Sequence, residues 1–178
     1  LCGLSLIVFG WETWHAFLAA AAGSHATYSS GRINLGGFVT PFGGVLLTGG
    51  TRNMADMAQT AVTVGAGFLV AIAWRRGLPL PVRAAMLAAA TLVAVPVALI
   101  YDLMLAAIAA AWLVRDRARI GGAEKIVLAA LFVLSAVPPG LAETFHFPAG
   151  PIVAVSLLAL IAARALSNTS SAEQTAAT

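Results

Sequence analysis

"VAVPVALIYDLMLAAIAAAWLVRDR", residues 93 to 117, sets a proline, Pro96, and a carboxylate, Asp102, inside an apolar run that is otherwise uncharged as far as Arg115. The run reaches back to residue 84, so residues 84 to 114, 31 in all, lie between Arg83 and Arg115. A helix rising about 1.5 Å per residue needs about 20 residues to cross a hydrocarbon core. Two passes sharing this run have roughly 15 residues each, too few for either to cross completely. The turn between them is therefore expected within membrane depth, where non-helical backbone is tolerated only when it is buried in protein or lines a wet cavity. An ionisable residue at that depth marks a functional site by default. Tyr101 is its neighbour, and Arg32, Arg52 or a histidine are candidate charge partners. Asp102 also suits the N-cap of the following helix, "LMLAAIAAAWL", where a carboxylate meets the positive helix end. The two readings are compatible, because a capping carboxylate can still line a site.

Composition places the whole chain in the same solvent. Of 178 residues, 60% are apolar and 10% charged, and the mean hydropathy is +0.92, which is a membrane protein's balance. The one cysteine, Cys2, excludes an internal disulfide and a cysteine metal cluster, and reads as a small apolar helix residue. A net charge of +3 comes from few residues and implies no nucleic-acid partner.

Residues 1 to 9, "LCGLSLIVF", lack a basic leader and a cleavage site, so they are not a signal peptide. They are too few to cross and read as the end of a truncated transmembrane helix, with the sequence a C-terminal fragment. Residues 10 to 53 read as an outer-face interfacial segment, and 54 to 166 as about five transmembrane passes, including short or broken ones. Within them fall a full span at 54 to 74, the broken run at 84 to 114, and spans near 124 to 137 and 151 to 166. The turn-rich "PPGLAETFHFPAG" separates the last two. Residues 167 to 178 are polar and read as a disordered cytoplasmic tail. The expected fold is all-α, a polytopic transmembrane helical bundle. Orientation follows from the excess of Lys and Arg on the cytoplasmic side. Arg75, Arg76, Arg83, Arg115, Arg117, Arg119, Lys125 and Arg164 fall inside, and only Arg32 and Arg52 outside. Tyr101-Asp102, residues 10 to 53 and residues 138 to 150 then share the outer face.

In "GWETWHAFLAAAAGSHATY", Trp11, Trp14, His15 and Phe17-Leu18 recur at helical spacing, as in a helix lying at headgroup level. Glu12 and His15 are three apart, on one face. No second Glu-x-x-His pair accompanies them on this outer segment, and His25 and His146 are isolated, so no metal site is assigned. Residues 31 to 50 hold seven glycines. No Gly-Lys-Ser/Thr follows them to cradle a phosphate, and Pro41 interrupts any GxxxG packing stripe. Glu143 and His146 sit in a proline-rich outer loop that reads as solvated. No Ser-His-Asp or Cys-His arrangement is assembled.

The order "FGWETWHAFL", "YSSGRINLGGF", a span ending "WRRGLPLPVRAA", and "AAATLVAVPVALIYDLMLAAIAAAWLVRD" resembles the C-terminal half of the family-87 glycosyltransferases, multi-spanning enzymes of the GT-C type. Gly10, Trp11 and Trp14 carry the aromatic opening, and Pro96, Tyr101, Asp102 and Leu103 the second signature, over residues 5 to 119. The resemblance implies an integral, multi-pass protein of a bacterial plasma membrane. It implies transfer of a hexose, mannose in characterised relatives, from a polyprenyl-phosphate sugar donor to a lipid or glycan acceptor on the outer side. No cofactor is implied. Such a reaction wants a carboxylate base for the acceptor hydroxyl and donors that hold the phosphate leaving group. In GT-C enzymes that base usually lies in an early outer loop, so the catalytic residue is expected upstream and the isolated chain is expected to be inactive. What the resemblance assigns here is donor- or cavity-lining: Trp11, Glu12, Trp14 and His15, Arg32 toward the phosphate, and Tyr101 with Asp102.

A transporter is the rival reading, since transporters also place broken helices and a carboxylate at membrane depth. It would favour a duplicated half, and no internal repeat is present.

Overall fold

The computed structural model describes residues 2–28, 34–115, 121–137 and 139–176, and these are all-helical. The first compact unit ends at Asn34 and contains a single helix, α1 (Cys2–Tyr28). At Gly10 the backbone leaves helical geometry, with φ 77° and ψ 164°, and divides α1 in two. Only glycine adopts such angles without steric cost. The Thr13 hydroxyl donates to the Phe9 carbonyl at 2.6 Å across the kink, and Trp14 meets Phe17 edge-on at 6.0 Å.

The second unit, from Leu35 onward, holds the core. A 3-10 turn (Leu35–Gly37) leads into the short α2 (Pro41–Leu47), followed by α3 (Arg52–Arg75) and α4 (Leu80–Ala94). A second 3-10 turn (Ile100–Leu103) runs into α5 (Met104–Arg115), and α6 (Gly122–Ser135), α7 (Pro139–Thr144) and α8 (Ala149–Ala176) complete the chain. Helix α4 packs against α3, α5 and α8, and α6 packs against α8. Short connections make α3, α4 and α5 successively antiparallel.

The interfaces between these helices are lined by alanine. Ala73 on α3, Ala85 and Ala89 on α4, Ala109 on α5 and Ala154 on α8 have no exposed surface. Small side chains let helix backbones approach closely, as in helix packing within lipid. Phe38, Phe42, Met86, Leu92, Leu113 and Ile161 fill the core between them, and further bulky apolar residues lie on the outside. Along α3, Met54, Met57, Val64, Phe68 and Ile72 are all exposed, a continuous stripe at helical spacing. Ile126, Phe132 and Val133 do the same on α6. Among the described residues, α3 is the one helix long and apolar enough to cross a membrane, while Leu80–Ala94 and Ala149–Ala165 are shorter apolar helices.

Two segments differ from the sequence expectation. Residues 37 to 44, part of the segment 10 to 53 read as outer-face and interfacial, are buried in the core. The glycines permit it: a Cβ on Gly44 would sit 2.9 Å from the Pro151 ring, so this contact between α2 and α8 excludes any larger residue. The polar stretch 167 to 176, expected to be unstructured, continues α8 to Ala176. It contains no glycine or proline, and its Ala, Glu and Gln are good helix formers.

Candidate functional site at a broken helix

Helix α4 stops at Ala94 because Pro96 follows. Proline carries no N–H, clashes with the carbonyl four residues back, and drives its predecessor out of helical geometry. Val95 accordingly has ψ 122°. The break strands carbonyls that a continuous helix would have paired, and in a buried place each unpaired one costs about 1–3 kcal/mol.

Each exposed end of backbone finds a partner from elsewhere in the chain. The Gln59 side-chain amide, on α3, donates to the Val93 carbonyl at 2.8 Å and approaches that of Ala94 at 3.4 Å. The Thr63 hydroxyl also donates to Ala94, at 3.3 Å. The Thr40 hydroxyl donates to the Pro96 carbonyl at 3.1 Å. The Val39 N–H donates to the Ala98 carbonyl at 3.0 Å, next to an isolated antiparallel bridge between Phe38 and Leu99. Gln59 and Thr40 are themselves buried, at 5% and 0% exposure. The amide oxygen of Gln59 accepts from the Phe42 N–H at 3.3 Å, and the Thr40 oxygen accepts from Gly43 N–H at 3.3 Å, capping α2. The side-chain orientation of Gln59 follows from chemistry, since only its NH2 group can face two carbonyls.

These contacts fix the depth of the break. Gln59 lies seven residues into α3, about 10 Å along its axis at 1.5 Å per residue, and it bonds the last carbonyls of α4. The end of α4 therefore sits about 10 Å short of the start of α3.

Asp102 closes the turn. Its Oδ2 accepts from the Leu99 N–H at 2.8 Å and its own N–H donates to the Leu99 carbonyl at 2.8 Å. This carboxylate bond reaches back to the residue before the 3-10 turn, and is not the N-cap expected for the following helix. The other carboxylate oxygen has no hydrogen-bond partner among the described residues. Asp102 is half-buried and Tyr101 is 67% exposed beside it. Below the turn, Leu103, Ala106, Ala110, Leu131, Ser135 and Leu157 line a cleft of about 150 Å³ between α5, α6 and α8.

The other expected site residues fall elsewhere. Trp11, Glu12, Trp14 and His15 lie on α1 in its own unit, and no hydrogen bond or ion pair joins Glu12 to His15. Arg32 lies outside the described residues. Arg52, a candidate partner for Asp102, is 3.8 Å from Asp56 one turn along its own helix. Glu143 and His146 bracket the end of α7, and His146 has a positive φ of 51°. No three or more His, Cys, Asp or Glu side chains among the described residues converge as a metal site would require.

Gln59, Thr63 and Thr40 went unmarked in the sequence reading. The available signal was a glutamine and a threonine, spaced by one helical turn, inside an otherwise apolar span.

No protein-family model matches the chain, and no curated protein or solved structure matches it.

Proposed function

We propose that the chain is the C-terminal, multi-pass part of a plasma-membrane glycosyltransferase that moves a hexose, mannose by resemblance, from a polyprenyl-phosphate donor to a lipid or glycan acceptor on the outer face. The comparisons lend this reading no support; it rests on the sequence resemblance and on one structural observation. That observation is the break between α4 and α5, held about 10 Å below the start of α3, with a half-buried carboxylate at its rim. The membrane reading is supported by the bulky apolar residues left exposed along α3 and α6 and by the alanines at the closest helix contacts.

In this reading Tyr101 and Asp102 line the working cavity, and the cleft beneath them is an apolar space continuous with the lipid phase. The resemblance assigns Trp11 and Trp14 to the lipid or sugar, and His15 or Arg32 to the donor phosphate. A half-buried carboxylate with one oxygen left over suits either a hydroxyl of the sugar or a proton in transit, which is why a transporter is the competing reading.

The test uses membranes carrying the complete gene product and a radiolabelled polyprenyl-phosphate hexose. Asp102→Asn keeps a side-chain oxygen that can accept from Leu99 and removes only the charge. A tenfold or larger loss of transfer at unchanged protein level, about 1.4 kcal/mol of barrier, supports the carboxylate's place in the cavity. No transfer from any such donor refutes the glycosyltransferase and favours the transporter.

A further inference from the structure

The end of the core opposite the break carries a row of arginines. Arg75 closes α3 and Arg76 caps it, while Arg115 closes α5. Cations suit the negative C-terminal end of a helix, so these three have a reason within the fold. Arg83 does not. It lies in the first turn of the 15-residue α4, where the helix charge is positive and a basic residue is disfavoured. Its Nε is buried with no hydrogen-bond partner, and no carboxylate pairs with it among the described residues. What it does meet is Trp74, with the guanidinium 5.7 Å from the ring centroid.

The same pairing recurs one helix away. Arg115 lies over Trp112 at 5.4 Å, and Ile108 and Ala111 continue a shallow apolar recess along α5 from this pair. Since α4 and α5 pack antiparallel, the start of one and the end of the other share a level. Each guanidinium thus lies within cation–π range of an indole, and at Arg115 apolar helix surface runs away from the pair. Trp74 is 44% exposed, so the indole is open to a ligand as well. Tryptophan belongs at headgroup level, and arginine binds phosphate oxygens in bidentate fashion.

We propose that the Arg83–Trp74 and Arg115–Trp112 pairs bind the phosphate headgroup of an anionic phospholipid, with an acyl chain against the apolar recess of α5. The site rests on the membrane reading above and is independent of the glycosyltransferase. It takes anionic lipid in preference to zwitterionic lipid because the choline group of the latter meets two arginines.

The intact protein in non-ionic detergent is offered phosphatidylglycerol or phosphatidylcholine with identical acyl chains, and retained lipid is counted by native mass spectrometry. Wild type retains phosphatidylglycerol about fivefold or more over phosphatidylcholine, the worth of a single basic residue near an anionic surface. The Arg83→Gln/Arg115→Gln variant loses this preference, and Arg52→Gln, at the opposite end, keeps it. Equal retention of the two lipids by wild type, or a preference that survives the double variant, overturns the site. So does full displacement by millimolar inorganic phosphate, which assigns the arginines to a soluble anion. A second measurement needs no arginine variant: brominated phosphatidylglycerol quenches the fluorescence of Trp74 and Trp112 in a Trp11→Phe/Trp14→Phe background more than brominated phosphatidylcholine does, and equal quenching overturns the proposal. Flotation with neutral phosphatidylcholine vesicles separates the two failures. Protein that inserts without lipid preference breaks this proposal alone, and protein that does not insert breaks the membrane reading with it.

Discussion

At the break between α4 and α5, the carbonyls of Val93, Ala94, Pro96 and Ala98 each meet a donor from α3 or from residues 39 and 40; at the opposite end, the buried Nε of Arg83 meets none. The first region is closed upon itself, and its polar groups are spent on holding the fold. The second leaves cationic groups for something outside the chain. The contrast separates stability from binding: changes at the break should unfold the protein, and changes at the arginine row should leave it folded with altered partners.

The largest expected effect belongs to Gln59. Gln59→Met preserves volume but strands the buried Val93 carbonyl and removes the acceptor that the Phe42 N–H uses on Gln59, and should cost about 3 kcal/mol, the upper end for one buried group. Thermal unfolding in detergent reads it, and a loss below about 1 kcal/mol would mean that water reaches the break and substitutes for the amide. Glu124→Ala comes next. Glu124 lies 3.8 Å from Arg164, which is buried in α8, and its other role is to accept from Gly121 N–H at 3.2 Å as a cap for α6. Removing one partner of a buried pair costs about 3–5 kcal/mol, reduced to about 2 here because Glu124 reaches solvent. Glu124→Gln should recover the cap and part of the loss.

Asp102 sharpens the comparison, because it belongs to both categories. Asp102→Ala removes the cap on the turn and should cost about 1 kcal/mol, while Asp102→Asn should cost less than half of that. If the two variants are equally stable, capping is not what retains a carboxylate at this position. The smallest effect is at the arginine row: Arg83→Gln should change stability by no more than about 0.5 kcal/mol and still weaken anionic-lipid retention.

Much of the break was legible beforehand. Pro96 falls well past the first turn of α4, where proline stops a helix, so the position of the break follows from a local rule. The helix α3 was equally plain from its long, mostly apolar run. What the sequence hid is tertiary. Residues 35 to 47 are apolar and glycine-rich, and that composition suits a segment at headgroup level as well as one wedged against Pro151; only the neighbours decide. Gln59 was hidden for the same reason: a lone amide in a span shows neither its face nor what its two ends will bond. For the site, Tyr101 and Asp102 stood out through the rarity of polar residues in such a run, whereas the α1 residues were singled out by spacing that an interfacial helix would show in any case.

The depth of the α4–α5 turn in a bilayer is the quantity to measure first. In a Cys2→Ser background, nitroxides attached at Val95→Cys and at Asn53→Cys are compared in neutral vesicles for collision with oxygen, which partitions into lipid, and with a water-soluble nickel complex. A turn held inside the hydrocarbon places the label at position 95 about 10 Å deeper than the label at position 53, with oxygen collisions dominant at the first and nickel collisions at the second. Equal access of the nickel complex to both positions would contradict a break at membrane depth.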